Sequence, residues 1–161
     1  MNLLESIRRL PRTHIATIPP EYLDEMGHMN IRWYAALFDS SAWGAFELAG
    51  ADVSYLREHQ TGMFALQQHV NYLAEVYVGE TVSLHTRFLG RSEKRLHKMH
   101  FMVNESTDTL ASTMEVIAGH IDMRIRRMSR FTPAVAIILD ELIAEHQVLD
   151  WDAPLCGVLA P

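Results

Sequence analysis

Residues 30–50 read NIRWYAALFDSSAWGAFELAG, and their spacing decides the fold. Ile31, Tyr34, Ala35, Phe38, Ala42, Ala45, Phe46 and Ala49 recur at the three- and four-residue intervals of a helix. Trp33, Leu37, Gly44 and Leu48 add a second apolar face, and the polar residues are few: Arg32, Asp39, Ser40, Ser41 and Glu47. A helix apolar on most of its circumference is expected to be buried on most of it. Asn30 suits an N-cap and Gly50 a C-terminal stop.

The flanks supply a sheet to bury it. Residues 12–18 alternate, are rich in β-branched side chains and end at Pro19-Pro20, which predicts a first strand. Four further strands are predicted as a meander over 63–77, 81–89, 95–104 and 110–123. The turns at Gly79-Glu80, 90–93 and 105–108 divide them. Val82, Leu84, Thr86 and Phe88 share a face of one strand, and His97, Met99, Phe101 and Val103 a face of the next. Pro133 opens a short C-terminal helix, and residues 147–161 read as a tail. The order predicts an α+β fold, a curved antiparallel sheet wrapped around one long central helix. Its exposed sheet edges invite pairing with a second copy.

At 161 residues the chain fits a single domain over 1–161, with a core at about 12–130. One cysteine, Cys156, cannot form a disulfide within the chain. With no signal-like start and no membrane-length apolar run, a cytoplasmic protein is expected. A net charge of −6 argues against a nucleic-acid partner. The basic residues are clustered instead: Arg91, Lys94, Arg95 and Lys98, then Arg124, Arg126, Arg127 and Arg130. Such a patch on an acidic protein suits a small anionic ligand. There is no Gly-x-Ser-x-Gly elbow, no His-Glu-x-x-His and no cysteine pair. Serine-esterase chemistry, a metal site and a bound cofactor are therefore not expected.

The remaining signal lies in residues 24–34. Asp24 precedes the predicted helix, where a carboxylate can act as general base on water or attack a carbonyl itself. Gly27 permits positive φ or close approach of the backbone. The N–H groups around His28 to Asn30 open the helix and can polarise a carbonyl oxygen. This run of Asp24, Gly27, His28, Met29, Asn30 and Tyr34 resembles the signature of hot-dog thioesterases of the 4-hydroxybenzoyl-CoA thioesterase-like family. Those enzymes show an Asp, two residues, Gly-His-Val-Asn, and then a helix with Tyr or Trp in its first turns. Many also carry an Asp two residues earlier, where this chain has Tyr22.

The resemblance implies a hot-dog fold and hydrolysis of an acyl-CoA. It implies Asp24, Gly27, His28 and Asn30 as catalytic-site residues, with His28 as a positioning residue. It also implies a homodimer or dimer of dimers. The stretches 69–76 and 93–97 resemble more closely a subgroup linked to carnitine degradation, which implies betainyl-CoA as substrate. Trp33, Tyr34 and Trp43 are then candidate acyl-pocket residues, because aromatic faces attract a trimethylammonium group. His69, Asn71 and Tyr72 are candidates to line that pocket across a dimer interface. Arg91, Ser92 and Lys94, at a turn, are candidates for the CoA phosphates. Non-catalytic binding or sensing of acyl-CoA in the same shell is the alternative.

Overall fold

In a computed structural model, which describes residues 2–161, the long helix α2 spans Ile31–Leu48. The Asn30 side chain accepts from the Arg32 N–H, and its carbonyl accepts from the Trp33 N–H. At the other end Gly50 takes φ +72°. Its N–H bonds to the Glu47 carbonyl, and the Ala51 N–H reaches back to Phe46. These two bonds satisfy carbonyls that the helix end leaves open.

The other elements are α1 (Leu3–Arg8), β1 (Arg12–Thr17), a 3₁₀ turn (Pro20–Tyr22), α3 (Val53–His59), β2 (Thr61–Tyr72), β3 (Thr81–Arg91), β4 (Arg95–Asn104), β5 (Thr109–Asp122), β6 (Arg127–Met128) and α4 (Pro133–Gln147). The main sheet order is β1-β3-β4-β5-β2, with β6 on β5. The expected meander therefore holds only for β3, β4 and β5. β2 lies beside β5 at one edge, and β1 pairs antiparallel with β3 at the other. Strand partners far apart in sequence leave no local signature, so this crossover is not visible in periodicity.

β2 also ends at Tyr72, not at residue 77. The N–H groups of Leu73 and Ala74 both point at the Ala111 carbonyl, and there the chain leaves the ladder. α1, α3, the 3₁₀ turn and β6 are short elements that the sequence reading passed over. No described helix is long and apolar enough to cross a membrane.

The chain forms two compact units, and α2 and β2–β5 each contribute residues to both. The first comprises residues up to Gly44, 70–86 and 100–114. Phe38, Val82, Leu84 and Phe101 are buried in it. A polar cluster ties its helix to its strands. Ser41 and Thr86 each lie 2.8 Å from Nδ1 of His100, and Thr13 bonds to both hydroxyls at 2.6 and 3.0 Å. Pairing each member keeps the burial of Ser41, Thr86 and His100 from being costly.

The second unit comprises residues 45–69, 87–99 and 115–161. Phe88, Leu139 and Ile143 are buried there. The segment after α4 has no regular structure but is anchored. Arg87 donates to the carbonyls of His146 and Trp151, and Glu115 accepts from the Cys156 N–H at 2.7 Å.

α2 is buried along one stripe, including Tyr34, Leu37, Phe38, Ser41, Ala45 and Phe46. Ile31, Trp43 and Leu48 remain exposed, which corrects the expectation of burial on most of the circumference. Residues 64–69 of β2 are exposed in one run, with Phe64 66% exposed.

Candidate active site

The site grows from the loop before α2 and the segment after β2, both in the first unit. Leu23 and Met29 pair as an isolated bridge, closing residues 24–28 into a tight loop. The Asp24 N–H bonds to the His28 carbonyl, and the Gly27 N–H to the Asp24 carbonyl. Gly27 takes φ +88°, which a side chain would strain. The Met29 N–H donates to Val76 at 2.8 Å and the Asn30 N–H to Tyr22 at 2.9 Å. Both are thereby occupied. Of the three N–H groups considered as oxyanion donors, only that of His28 has no acceptor among the described residues.

The Asp24 side chain is held at one oxygen and open at the other. Oδ1 accepts from the Met26 N–H at 2.9 Å, and Oδ2 faces Nδ1 of His28 at 3.8 Å. Nε2 of His28 faces Oε1 of Glu75 at 3.8 Å. The imidazole thus stands between two carboxylates at ion-pair distance. Glu75 is fixed from its other side, because the Tyr77 hydroxyl donates to Oε2. That bond to the carboxylate, together with its charge, pushes the Tyr77 phenol up.

A cavity of about 240 Å³ opens here. Its walls are His28, Met29, Ile31 and Tyr34 on one side and residues 72–75 on the other. The Tyr34 and Tyr72 rings meet edge to face, with centroids 5.2 Å apart. Tyr34 donates to the Ala74 carbonyl at 3.2 Å. Burial, and after it the Glu75 charge, pushes its phenol up to about 12, so it stays a neutral donor. Asp24 is not among the lining residues, but His28, 3.8 Å from its Oδ2, is.

The other expected residues fall elsewhere. Trp33 stacks on Tyr22 at 3.8 Å, nearly parallel, with Arg32 on its ring, and does not line the cavity. Trp43 is 42% exposed on α2 and does not line it either. Asn71 turns its amide to Thr113, while its carbonyl accepts from Ser112. His69 is an exposed β2 residue of the second unit.

In that unit Ser92 and Lys94 line a shallow hollow with Glu93, Arg95 and Met128. Arg91 is bound by both oxygens of Asp140, at 2.7 and 2.6 Å, and does not line the hollow. The basic cluster is also smaller than its sequence suggests. Lys98 is buried with its ammonium over the Phe46 ring, and Arg124 pairs with Asp122. His97 turns to buried Glu115 and His100 to Ser41. Among the described residues no three His, Cys, Asp or Glu side chains gather as a metal site.

Sequence reasoning missed Glu75 and Tyr77 as site residues. Glu75 lay inside the stretch that carried the subgroup resemblance, but a strand read through to residue 77 concealed its turn toward the cavity.

Comparison with known proteins agrees with this architecture. A model of the thioesterase-like superfamily matches residues 18–139. An L-carnitine dehydrogenase/betainyl-CoA thioesterase of Agrobacterium fabrum is 30% identical over 136 residues, 84% of this chain. The chain spans only 28% of that relative's length. A betainyl-CoA thioesterase of Pseudomonas aeruginosa is 26% identical over 137 residues, covering 85% of this chain and 86% of the relative. Among solved structures, a hypothetical protein from Staphylococcus aureus in complex with CoA superposes with a TM-score of 0.83. It is 23% identical, with 94% of this chain and 96% of that one covered. A DHNA-CoA thioesterase from Staphylococcus aureus gives a TM-score of 0.76 at 18% identity, with 83% and 91% covered. The fold is the hot-dog fold.

Proposed function

Because the chain belongs to the thioesterase-like superfamily, we propose that it hydrolyses a small acyl-CoA, betainyl-CoA, to the free acid and CoA. The observation that carries this reading is the Asp24–His28 pair, 3.8 Å apart, with His28 lining a cavity of about 240 Å³ whose wall includes Tyr34 and Tyr72. That volume has room for a short acyl group. Tyr34 and Tyr72 offer aromatic surface to a trimethylammonium group. The acyl groups named for the Agrobacterium and Pseudomonas relatives support the choice.

In the reaction the thioester carbonyl lies at the start of α2. The His28 N–H and the positive end of the helix stabilise the oxygen as charge develops on it. Asp24 takes a proton from the attacking water and returns it to the departing sulfur, or attacks the carbonyl carbon itself to form an anhydride that water then hydrolyses to the free acid, the thiolate taking its proton from water; in either case the C–S bond breaks and CoA leaves as the thiol. Gly27 shapes the loop and Asn30 caps the helix. Ser92 and Lys94 receive the CoA phosphates, and Arg91, its guanidinium held by both oxygens of Asp140, braces that turn. Two copies associate along β2, covering Phe64 and Leu66, which lie exposed on that edge strand.

A second reading has its own support. His28, not Asp24, lines the cavity. The imidazole is then the general base, with Asp24 orienting it. Release of free thiol separates the cases. Asp24→Asn is expected to lower kcat by about 10²–10⁴ while the thermal midpoint is kept, and His28→Gln to cost far less. The reverse ranking favours His28 as base. Near-wild-type turnover by Asp24→Asn overturns the role of Asp24. Saturable acyl-CoA binding without any thiol release leaves a binding module instead.

A further inference from the structure

Resting on the substrate class proposed above, we propose that Glu75 selects the cationic acyl group and that Tyr77 positions its carboxylate for the task. A trimethylammonium group has no N–H to donate, so a protein recognises it only by aromatic faces and by charge. Aromatic faces alone discriminate weakly where water reaches them. The cavity also holds a charge of the right sign, since Glu75 is the one acidic side chain among its described lining residues.

The chain places this carboxylate deliberately. β2 leaves the sheet after Tyr72, where the Leu73 and Ala74 N–H groups share the Ala111 carbonyl. Ala74 is then held by the Tyr34 hydroxyl and Val76 by the Met29 N–H. Glu75 lies between two anchored residues, on the wall that also carries Tyr72. An exposed glutamate is ordinarily a mobile, solvated group; this one is fixed at Oε2 by the Tyr77 hydroxyl. The Tyr77 backbone is itself fixed, its N–H donating to the Glu80 carboxylate at 2.8 Å. Oε1 accepts no hydrogen bond from the described residues; Nε2 of His28 stands 3.8 Å away, at ion-pair distance. One oxygen is thus held and the other presented to a cavity with aromatic walls.

The test compares betainyl-CoA with 3,3-dimethylbutanoyl-CoA, in which carbon replaces the quaternary nitrogen, by thiol release from the full-length protein. In Glu75→Gln the preference in kcat/KM for betainyl-CoA over the neutral isostere is expected to fall about tenfold, the loss appearing mainly in KM for the cation. Tyr77→Phe is expected to shift the same preference by about threefold, because it loosens the carboxylate without removing it. Thermal midpoints of both variants should match the wild type. If Glu75→Gln harms both substrates alike, the residue serves catalysis or structure and the inference falls. If wild-type protein prefers the cation and Glu75→Gln keeps that preference, the inference alone falls. If wild-type protein does not distinguish the two thioesters, the substrate reading falls and takes the inference with it.

Discussion

Replacing Gly44 by alanine sets two known effects against each other, and the structure decides between them. In an open helix, alanine is better than glycine by about 1 kcal/mol, because glycine loses more backbone freedom on folding. At Gly44, however, an added Cβ would lie 2.3 Å from the Thr13 carbonyl oxygen, 3.0 Å from its carbon and 3.1 Å from its Cα. All three are backbone atoms, so no rotamer change relieves the contact. Thr13 is also pinned. It sits where the β1–β3 register shifts, and its hydroxyl bonds to Ser41 and Thr86. Separation to ordinary contact needs a movement of roughly 1 Å. Overpacking of this kind costs about 3 kcal/mol at the upper end of the usual range. After the helix-propensity gain, a net loss of about 2 kcal/mol is expected. For a chain of this size that lowers the thermal midpoint by about 4–8 °C. Urea and thermal unfolding of Gly44→Ala measure it. A midpoint equal to or above the wild type would refute the claim that Gly44 admits β1 against α2.

Two further predictions concern the second unit. Glu115→Ala leaves His97 and the Cys156 N–H without the carboxylate that now joins them in a buried site. A loss of about 3 kcal/mol is expected, with residues 147–161 becoming sensitive to protease; an unchanged urea midpoint would show that the anchor is idle. His146 accepts the Phe88 N–H at Nδ1, which requires that nitrogen to be unprotonated. Burial, and after it the neighbouring Arg87 charge, pushes its pKa below 6.5, and burial does the same to His85 and His120. The unfolded chain therefore binds protons first as the pH falls. The stability from these three groups is complete above about pH 6.5 and is lost below it, toward their folded pKa values. The urea midpoint should be lower at about pH 5.5 than at about pH 7.5, and a midpoint unchanged or higher would contradict the assignment.

What the sequence makes legible here follows from the range of each interaction. α2 is written in its own periodicity, and its ends in Asn30 and Gly50. β4 spans Arg95–Asn104, the limits its alternation predicts. The pairing of β2 with β5 carries no such mark, since no spacing within β2 names its partner. Nor does composition reveal charge compensation. Arg91 and Lys98 read as members of a surface patch, yet Asp140, 49 residues further on, binds the first, and the Phe46 ring covers the ammonium of the second.

The same limit explains which half of the site could be read. Residues 24–34 announce themselves because one loop and one helix start hold the carboxylate, the glycine and the cap together. The opposing wall, residues 72–77, exists because a strand stops. Had β2 continued to residue 77, Ala74 and Val76 would have been engaged in the ladder rather than offering carbonyls to Tyr34 and Met29. Glu75 would then have followed the strand's alternation and not the cavity. The break costs some pairing in β2 and stabilises the loop that carries Asp24 and His28. The residue types that do this, Leu73, Ala74 and Val76, include no proline or glycine and give no sign of a stop. The interruption is imposed from across the chain, by the Ala111 carbonyl and the Met29 N–H. The acyl-recognition wall is thus a tertiary product, whereas the reactive loop is a local one.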